Sequence, residues 1–349
     1  MQKAIILFYL LLTSIFSISQ NENLDSLNKQ LKTTLVDTLR INILNAISRQ
    51  NFLNGNIDEI IPAANNALVL SQKINFKIGA FYAYKNIACA YKMYGENKKA
   101  YDYFDKALNL SKELQDKKNE ADILRLKGRL YESQDNYEQA IKLFLESLKI
   151  SEEISDRKGI ASSYNDIGII YSNQSNYTKA LDYYNKSLFL RKQLLDIGGV
   201  SDTYNNIGIV YMDQKKIDSA ISMHHMSIKI EKRLKDKNGL ALSYNNLGLC
   251  YRLIQKNDSA LFYHKKSLRL NEEMKNKKGI ALASYNVGSD LLNLNKIDSA
   301  RYFAEISLKN SQEVNNLYIK QFILIRAMIL LLTSQETYIL QVEWGMDQM

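Results

Sequence analysis

Residues 159–198 read GIASSYNDIGIIYSNQSNYTKALDYYNKSLFLRKQLLDIG. In the first half, Tyr164, Ile167, Gly168 and Tyr171 stand at i, i+3, i+4 and i+7, which is one face of an α-helix. In the second half, Ala180, Tyr184, Ser187 and Leu188 mark a second helical face. The polar run Asn173-Gln174-Ser175-Asn176 lies between them and predicts a short loop. The stretch therefore predicts one helix–turn–helix unit.

The same unit recurs on both sides. Gly128, Gly168, Gly208, Gly248 and Gly288 stand at one fixed interval. Tyr131, Tyr171, Tyr211 and Tyr251 keep that register, as do Ala100, Ala140, Ala180, Ala220, Ala260 and Ala300. Strict self-similarity at such an interval signals a solenoid, whose units bury their apolar faces only against neighbours. The fold class is all-α, an α-α superhelix of about seven helix–turn–helix repeats. Gly168 and Ala180 are expected to let two backbones approach, with Tyr164, Tyr171 and Tyr184 filling the space around them. Asp116, Asp156, Asp196, Asp236 and Asn276 recur at the junctions and are expected to cap the next first helix. Asp218, Asp258 and Asp298 open the second helices, where an acid complements the helix dipole and can cap free N–H groups.

Composition agrees. The chain has 349 residues, 46% hydrophobic and 24% charged, as in folded proteins. Its one proline, Pro62, leaves helices nearly unbroken. The net charge of +9 falls largely at repeat junctions, in Lys117-Lys118, Arg157-Lys158, Lys235, Lys237 and Lys277-Lys278. It reads as solvated turns, so nucleic acid is not an expected partner. Cys89 and Cys250 lie four repeats apart and are expected to be free, half-buried thiols.

Residues 1–19, MQKAIILFYLLLTSIFSIS, combine Lys3, an apolar run from Ala4 to Leu12 and small residues at Ser17 and Ser19. This is a secretory signal pattern, so the mature chain is expected outside the cytoplasm, periplasmic or extracellular; the alternative is an uncleaved membrane anchor. Residues 20–38 form a lead-in and residues 39–78 a degenerate capping repeat. Residues 79–318 hold six repeats, and residues 319–349 a divergent apolar tail. Within that tail, Phe322–Leu332 reads FILIRAMILLL, too short to span a bilayer. It predicts either a final helix packed on the last repeat or an apolar surface for a partner, and membrane contact is expected only there.

The pattern resembles the tetratricopeptide repeat. Tyr164, Ile167-Gly168, Tyr171, Ala180, Tyr184 and Ser187 match its signature at every spacing, and Tyr84, Ile87-Ala88, Tyr91, Ala100, Phe104 and Ala107 match with alanine for glycine. The family's terminal proline is missing and the unit is longer, as in kinesin light chains and bacterial peptide-sensing regulators. The resemblance covers roughly residues 79–310. It implies that the first helices line a concave groove for an extended peptide. On that face the register holds Asn86, Asp166, Asn206, Asn246 and Asn286, with Asn165, Asn205 and Asn245 one residue earlier. A carboxamide both donates and accepts, so a ladder of them suits a peptide backbone. The other reading is a hydrogen-bonding feature between repeats. Lys85, Arg125, Arg129 and Arg252 are too scattered to assign a carboxylate clamp.

The stretch Asp37-Thr38-Leu39-Arg40-Ile41-Asn42-Ile43-Leu44-Asn45 also resembles the start of bacterial envelope sensors. Those continue into a membrane helix and a histidine kinase or DNA-binding domain, from which this chain departs. The expectation is a stand-alone or truncated sensor, or a self-associating scaffold. No enzyme motif is present, and no cofactor or metal is expected. His224, His225 and His264 are the histidines; His224 and His264 fall where other units place Phe144 or Tyr184, and read as packing residues.

Overall fold

A computed structural model describes residues 23–54, 57–314, 320 and 327–332. The signal segment 1–19 and most of the tail 319–349 lie outside the described residues. The chain divides into two compact units, residues 1–134 and 135–349. The first contains α1 (Leu24–Thr33), α2 (Asp37–Asn54), α3 (Ile57–Lys73), α4 (Lys77–Tyr94), α5 (Asn97–Glu113) and α6 (Lys117–Glu132). The second contains α7 (Tyr137–Glu153), α8 (Arg157–Asn173), α9 (Tyr177–Gln193), α10 (Ile197–Asp213) and α11 (Ile217–Leu234). It continues with α12 (Lys237–Leu253), α13 (Asn257–Glu273), α14 (Lys277–Asn293) and α15 (Ile297–Gln312), and a short helical segment at 327–332. No strand occurs among the described residues. Consecutive helices pack as pairs, α4 on α5, α8 on α9, α10 on α11, α12 on α13 and α14 on α15. This is the all-α arrangement that the periodicity predicts.

The backbone repeats twice as often as the sequence. Asn75, Gln115, Asp135, Ser155, Ser175, Leu195, Lys215, Lys235, Gln255, Lys275 and Asn295 all have φ between 53° and 62°, and Gly95 has 77°. These positions recur twice per repeat, one after each helix from α3 to α14. In every such turn but the one at Asp135, two hydrogen bonds close the helix end: at Ser175, its N–H reaches Ser172 O (2.8 Å) and the next N–H, of Asn176, reaches Tyr171 O (2.8 Å). This left-handed closure satisfies the last carbonyls. Among the described turns glycine, its usual residue, stands only at Gly95, so the turn left little mark on the sequence.

The residue after each turn starts the next helix. Asp116, Asp196, Asp236 and Asn276 accept from the N–H three residues on, at 3.0–3.1 Å, as expected. Asp156 occupies the same place without a side-chain cap bond. Asn136 and Asn176 cap second helices in the same way. Asp218, Asp258 and Asp298 do not cap: Lys216, Lys256 and Lys296 hold the cap positions, and the acids lie in the first turn, where only the dipole term acts.

The glycines make room for side chains, and at Gly288 also for the backbone oxygen of Ala300, 3.2 Å from a Cβ built there. A Cβ on Gly168 would lie 2.7 Å from ring carbons of Tyr184, one on Gly208 2.7 Å from His224, and one on Gly248 2.5 Å from His264. Each glycine is a notch for a ring carried by the second helix of the same repeat. His224 and His264 therefore pack where Tyr184 packs. In the last repeat the ring position is Ala304, and the notch at Gly288 takes Leu330 instead, 2.6 Å from the same construction. Residues 327–332 thus pack on the last repeat, with Ala327 and Leu330 buried and Met328, Ile329 and Leu332 exposed.

A second glycine series, Gly79, Gly159, Gly199, Gly239 and Gly279, leaves room for a residue at the end of the preceding helix. That residue is polar: Ser71, Ser151, Arg191, Glu231 and Asn271. Serines lock the pairs internally. Ser187, Ser267 and Ser307 donate to the carbonyls of Ala161, Ala241 and Ala281 on the first helix of the pair, at 2.7–2.8 Å. Exposed ion pairs Lys237–Glu273 (2.9 Å) and Lys277–Glu313 (3.0 Å) tie the first residue of a pair to its far end.

The tyrosines divide into two kinds. Tyr184 and Tyr244 are buried, while Tyr171, Tyr211 and Tyr251 are only half-buried, not core. Tyr91, Tyr171 and Tyr251 stack on Tyr103, Tyr183 and Tyr263, with ring centroids 5.3–5.6 Å apart. Lys106 and Lys186 stand over Tyr103 and Tyr183 at 4.6 and 5.0 Å. This motif occupies every second repeat. Before the first pair, the lead-in forms α1, capped by Asn23, with Leu27 packed on Ile43, Ile47 and Ala63.

Candidate binding face

Helical geometry places residues i, i+3, i+4, i+7 and i+11 on one arc. On α10 this arc is Asp202, Asn205, Asn206, Ile209 and Asp213; on α12 it is Leu242, Asn245, Asn246, Leu249 and Leu253. On α8 and α14 it carries Asn165 with Asp166, and Tyr285 with Asn286.

The asparagines join neighbouring repeats. Asn206 Nδ2 donates to Asn165 Oδ1 at 3.1 Å, Asn246 Nδ2 to Asn205 Oδ1 at 3.1 Å, and Asn286 Nδ2 to Asn245 Oδ1 at 2.7 Å. Each rung spans one repeat and one position further. In the first unit Asn86 Nδ2 reaches the backbone oxygen of Asn45 at 3.1 Å. Asn205, Asn246, Asn286 and Asp166 are buried; Asn86, Asn206 and Asn245 are half-buried. A rung of this kind contributes about 1 kcal/mol. Recurrence of asparagine, a poor helix former, thus has a reason within the fold. Each rung consumes one of two amide hydrogens, so the half-buried members keep capacity for a ligand.

Behind the ladder lies a layer of buried polar groups. Asn205 Oδ1 also meets His224 Nδ1 at 2.8 Å; an oxygen only accepts, so Nδ1 carries the proton. Burial lowers the His224 pKa to about 4, which keeps the ring neutral. His264 Nδ1 lies 2.5 Å from Asp290 Oδ2, and Arg252 bonds Asp290 Oδ1 (2.6 Å) and the backbone oxygen of Asn286 (2.8 Å). Burial lowers the His264 pKa too, although Asp290 opposes the shift. Glu231 accepts from Ser201, Ser227 and Ser243 at 2.7–3.2 Å, and burial raises its pKa.

The cations near this face are engaged. Arg252 belongs to Asp290, as above. In the first unit Lys85 and Arg125 share Asp122, the latter at 2.9 Å. Burial opposes the Asp122 charge, but the two cations outweigh it and hold its pKa at about 2. Cys89 and Cys250 are free thiols, half-buried and buried, and burial pushes both up to about 11, far from reactive.

Sequence reading does not mark the open aliphatic residues of this face. Leu242 and Leu253 on α12 are 54% and 49% exposed, and Ile209, Leu249 and Leu282 are half-buried. The signal is available in the period: Ile169, Ile209 and Leu249 recur one repeat apart. Among the described residues no helix is long and apolar enough to cross a membrane.

The family model of the tetratricopeptide repeat matches residues 119–193 and 199–273. No curated protein matches the sequence. Solved structures do. BtubC (BKLC) from P. vanneervenii is 21% identical with a TM-score of 0.52, covering 63% of this chain and 92% of its own. A signal transduction ATPase with a tetratricopeptide repeat sensor, PH0952 from Pyrococcus horikoshii, is 16% identical with a TM-score of 0.62, covering 95% of this chain but 52% of its own. The quorum sensor NprR from B. thuringiensis, in its apo form, is 18% identical with a TM-score of 0.61, covering 86% and 84%. At these identities the likeness is one of fold. Residues 119–193 and 199–273 are tetratricopeptide repeats, and the flanking pairs continue their pattern of left-handed turns.

Proposed function

We propose that this chain is a non-enzymatic binding module that holds an extended peptide, or an extended segment of a protein, on the open face of its first helices. The observation that carries this is the carboxamide ladder, one rung per repeat, bordered by exposed aliphatic side chains. Amides recognise peptide backbone without regard to side chain, and the aliphatic neighbours supply area to bury. Two of the similar structures are described as a sensor and a quorum sensor, which supports a role in signal reception. The pattern at residues 1–19 supports export, and so an envelope setting. The test is panning of a random peptide library against the full chain, followed by titration calorimetry of the selected peptides. Asn206→Ala with Asn245→Ala, both half-buried members of the ladder, should weaken binding at least tenfold while circular dichroism stays helical. Unchanged affinity in that double variant sinks the reading.

A second reading, self-association as a scaffold, rests on exposed Met328, Ile329 and Leu332 on the last segment. Light scattering after size exclusion, on the full chain and on Ile329→Ser with Leu332→Ser, separates the two. A monomer in both argues against the scaffold.

A further inference from the structure

We infer that α12 is the specificity centre of the binding face, and that its ligand is an extended peptide with aliphatic, not acidic, side chains at two positions three residues apart. This deepens the peptide-binding reading and rests on it.

Leu242, Leu249 and Leu253 lie on the same arc of α12 as Asn245 and Asn246. Two of these leucines stand about half exposed beside amides that are tied into the ladder. One repeat earlier, the positions of Leu242 and Leu253 are Asp202 and Asp213, both exposed. Asp202 is paired with Arg191 at 3.8 Å. Arg252, the cation beside the α12 face, is held by Asp290 and Asn286. The face therefore offers aliphatic area on α12, carboxylates on α10 and no uncommitted cation on either arc. An acidic ligand side chain would be repelled at α10 and unpaired at α12.

Spacing sets the ligand's pattern. Packed helices lie about 8–10 Å apart, and an extended chain rises about 3.3 Å per residue. A peptide crossing from α10 to α12 thus advances by about three residues. One side chain meets Ile209, and the third residue on meets Leu249 between Leu242 and Leu253.

The test uses the full chain and four synthetic nine-residue peptides built on serine, glycine and threonine. They carry Leu/Leu, Ala/Ala, Lys/Lys or Glu/Glu at positions 4 and 7. The Leu/Leu peptide should bind about tenfold or more tighter than Ala/Ala, as expected for burying two aliphatic side chains in part, and Glu/Glu should bind weakest. The surface variant Leu242→Ser with Leu253→Ser should lose most of the advantage of Leu/Leu over Ala/Ala. Equal binding of all four peptides overturns the aliphatic inference and leaves backbone recognition standing. Full retention of the Leu/Leu advantage in the serine variant overturns the role of α12. Binding of none of the four overturns both this inference and the peptide-binding reading.

Discussion

Gly168→Ala and Gly198→Ala are the same substitution on the first helices of neighbouring repeats and should have opposite signs. In a helix interior the exchange is favoured by up to about 1 kcal/mol through backbone entropy. At Gly198, in the first turn of α10, the added Cβ meets only Leu234 Cδ1 at 4.0 Å, an ordinary contact, so about 0.5 kcal/mol of that gain should survive. At Gly168 the Cβ lies 2.7 Å from two ring carbons of Tyr184, where carbon contacts settle near about 3.5–4.0 Å. The ring must retreat by about 1 Å to restore that contact. It is 2% exposed and enclosed by its own core cluster with Leu188, Val200, Ile207 and Val210. Overpacking of this kind costs about 1–3 kcal/mol, which outweighs the propensity gain, so a net loss of about 1–2 kcal/mol is expected. Urea denaturation followed by far-ultraviolet circular dichroism reads both variants against wild type. The double variant Gly168→Ala with Tyr184→Leu should recover part of the loss, with a coupling above about 1 kcal/mol. Stabilisation by Gly168→Ala, or additivity in the double variant, would refute the notch.

Leu195→Gly should stabilise by about 0.5–1 kcal/mol in urea melts, because Leu195 has φ 54° and is 82% exposed, with left-handed strain to relieve and little packing to lose. Asn246→Ala removes one rung and leaves Asn205 Oδ1 with the His224 Nδ1 donor alone, for a loss of about 1 kcal/mol without loss of helicity. The folded pKa of His224, about 4, lies below its ordinary 6.5, so its stabilising share is whole above pH 6.5 and is lost as pH falls towards 4. His224→Tyr should flatten the fall between those values, by at most about 3 kcal/mol, when melts are compared from pH 7 to 4. Glu231 has the reverse sign: its raised pKa makes the carboxylate a cost that grows as pH rises, so Glu231→Gln should stabilise more at pH 7 than at pH 4.

Much of the fold could be read from the repeat alone. Gly168, Tyr171 and Ala180 mark buried or half-buried faces, and Asp196, Asp236 and Asn276 cap as their chemistry predicts, because both signals are local. The turns could not be read, since a left-handed residue closes each helix from α3 to α14 and among these described turns only Gly95 is glycine. The candidate face was legible as a stripe of asparagine, but not as a ladder: the partners sit on different repeats, and one-dimensional register does not say which helices touch.

The sequence by itself determined the helix pairs, their interval and the residues that punctuate them, because helical periodicity and capping act within a few residues. Only the tertiary structure decided which atoms fill each notch. It placed Tyr184, His224 and His264 over glycines, put Leu330 where Ala304 leaves space, and committed Arg252 and one amide hydrogen each of Asn206, Asn246 and Asn286 to neighbouring repeats. These are contacts between residues on different helices, set by packing of one helix on another. They also decide what the face has left to offer a ligand: spare carboxamide hydrogens and the open leucines of α12.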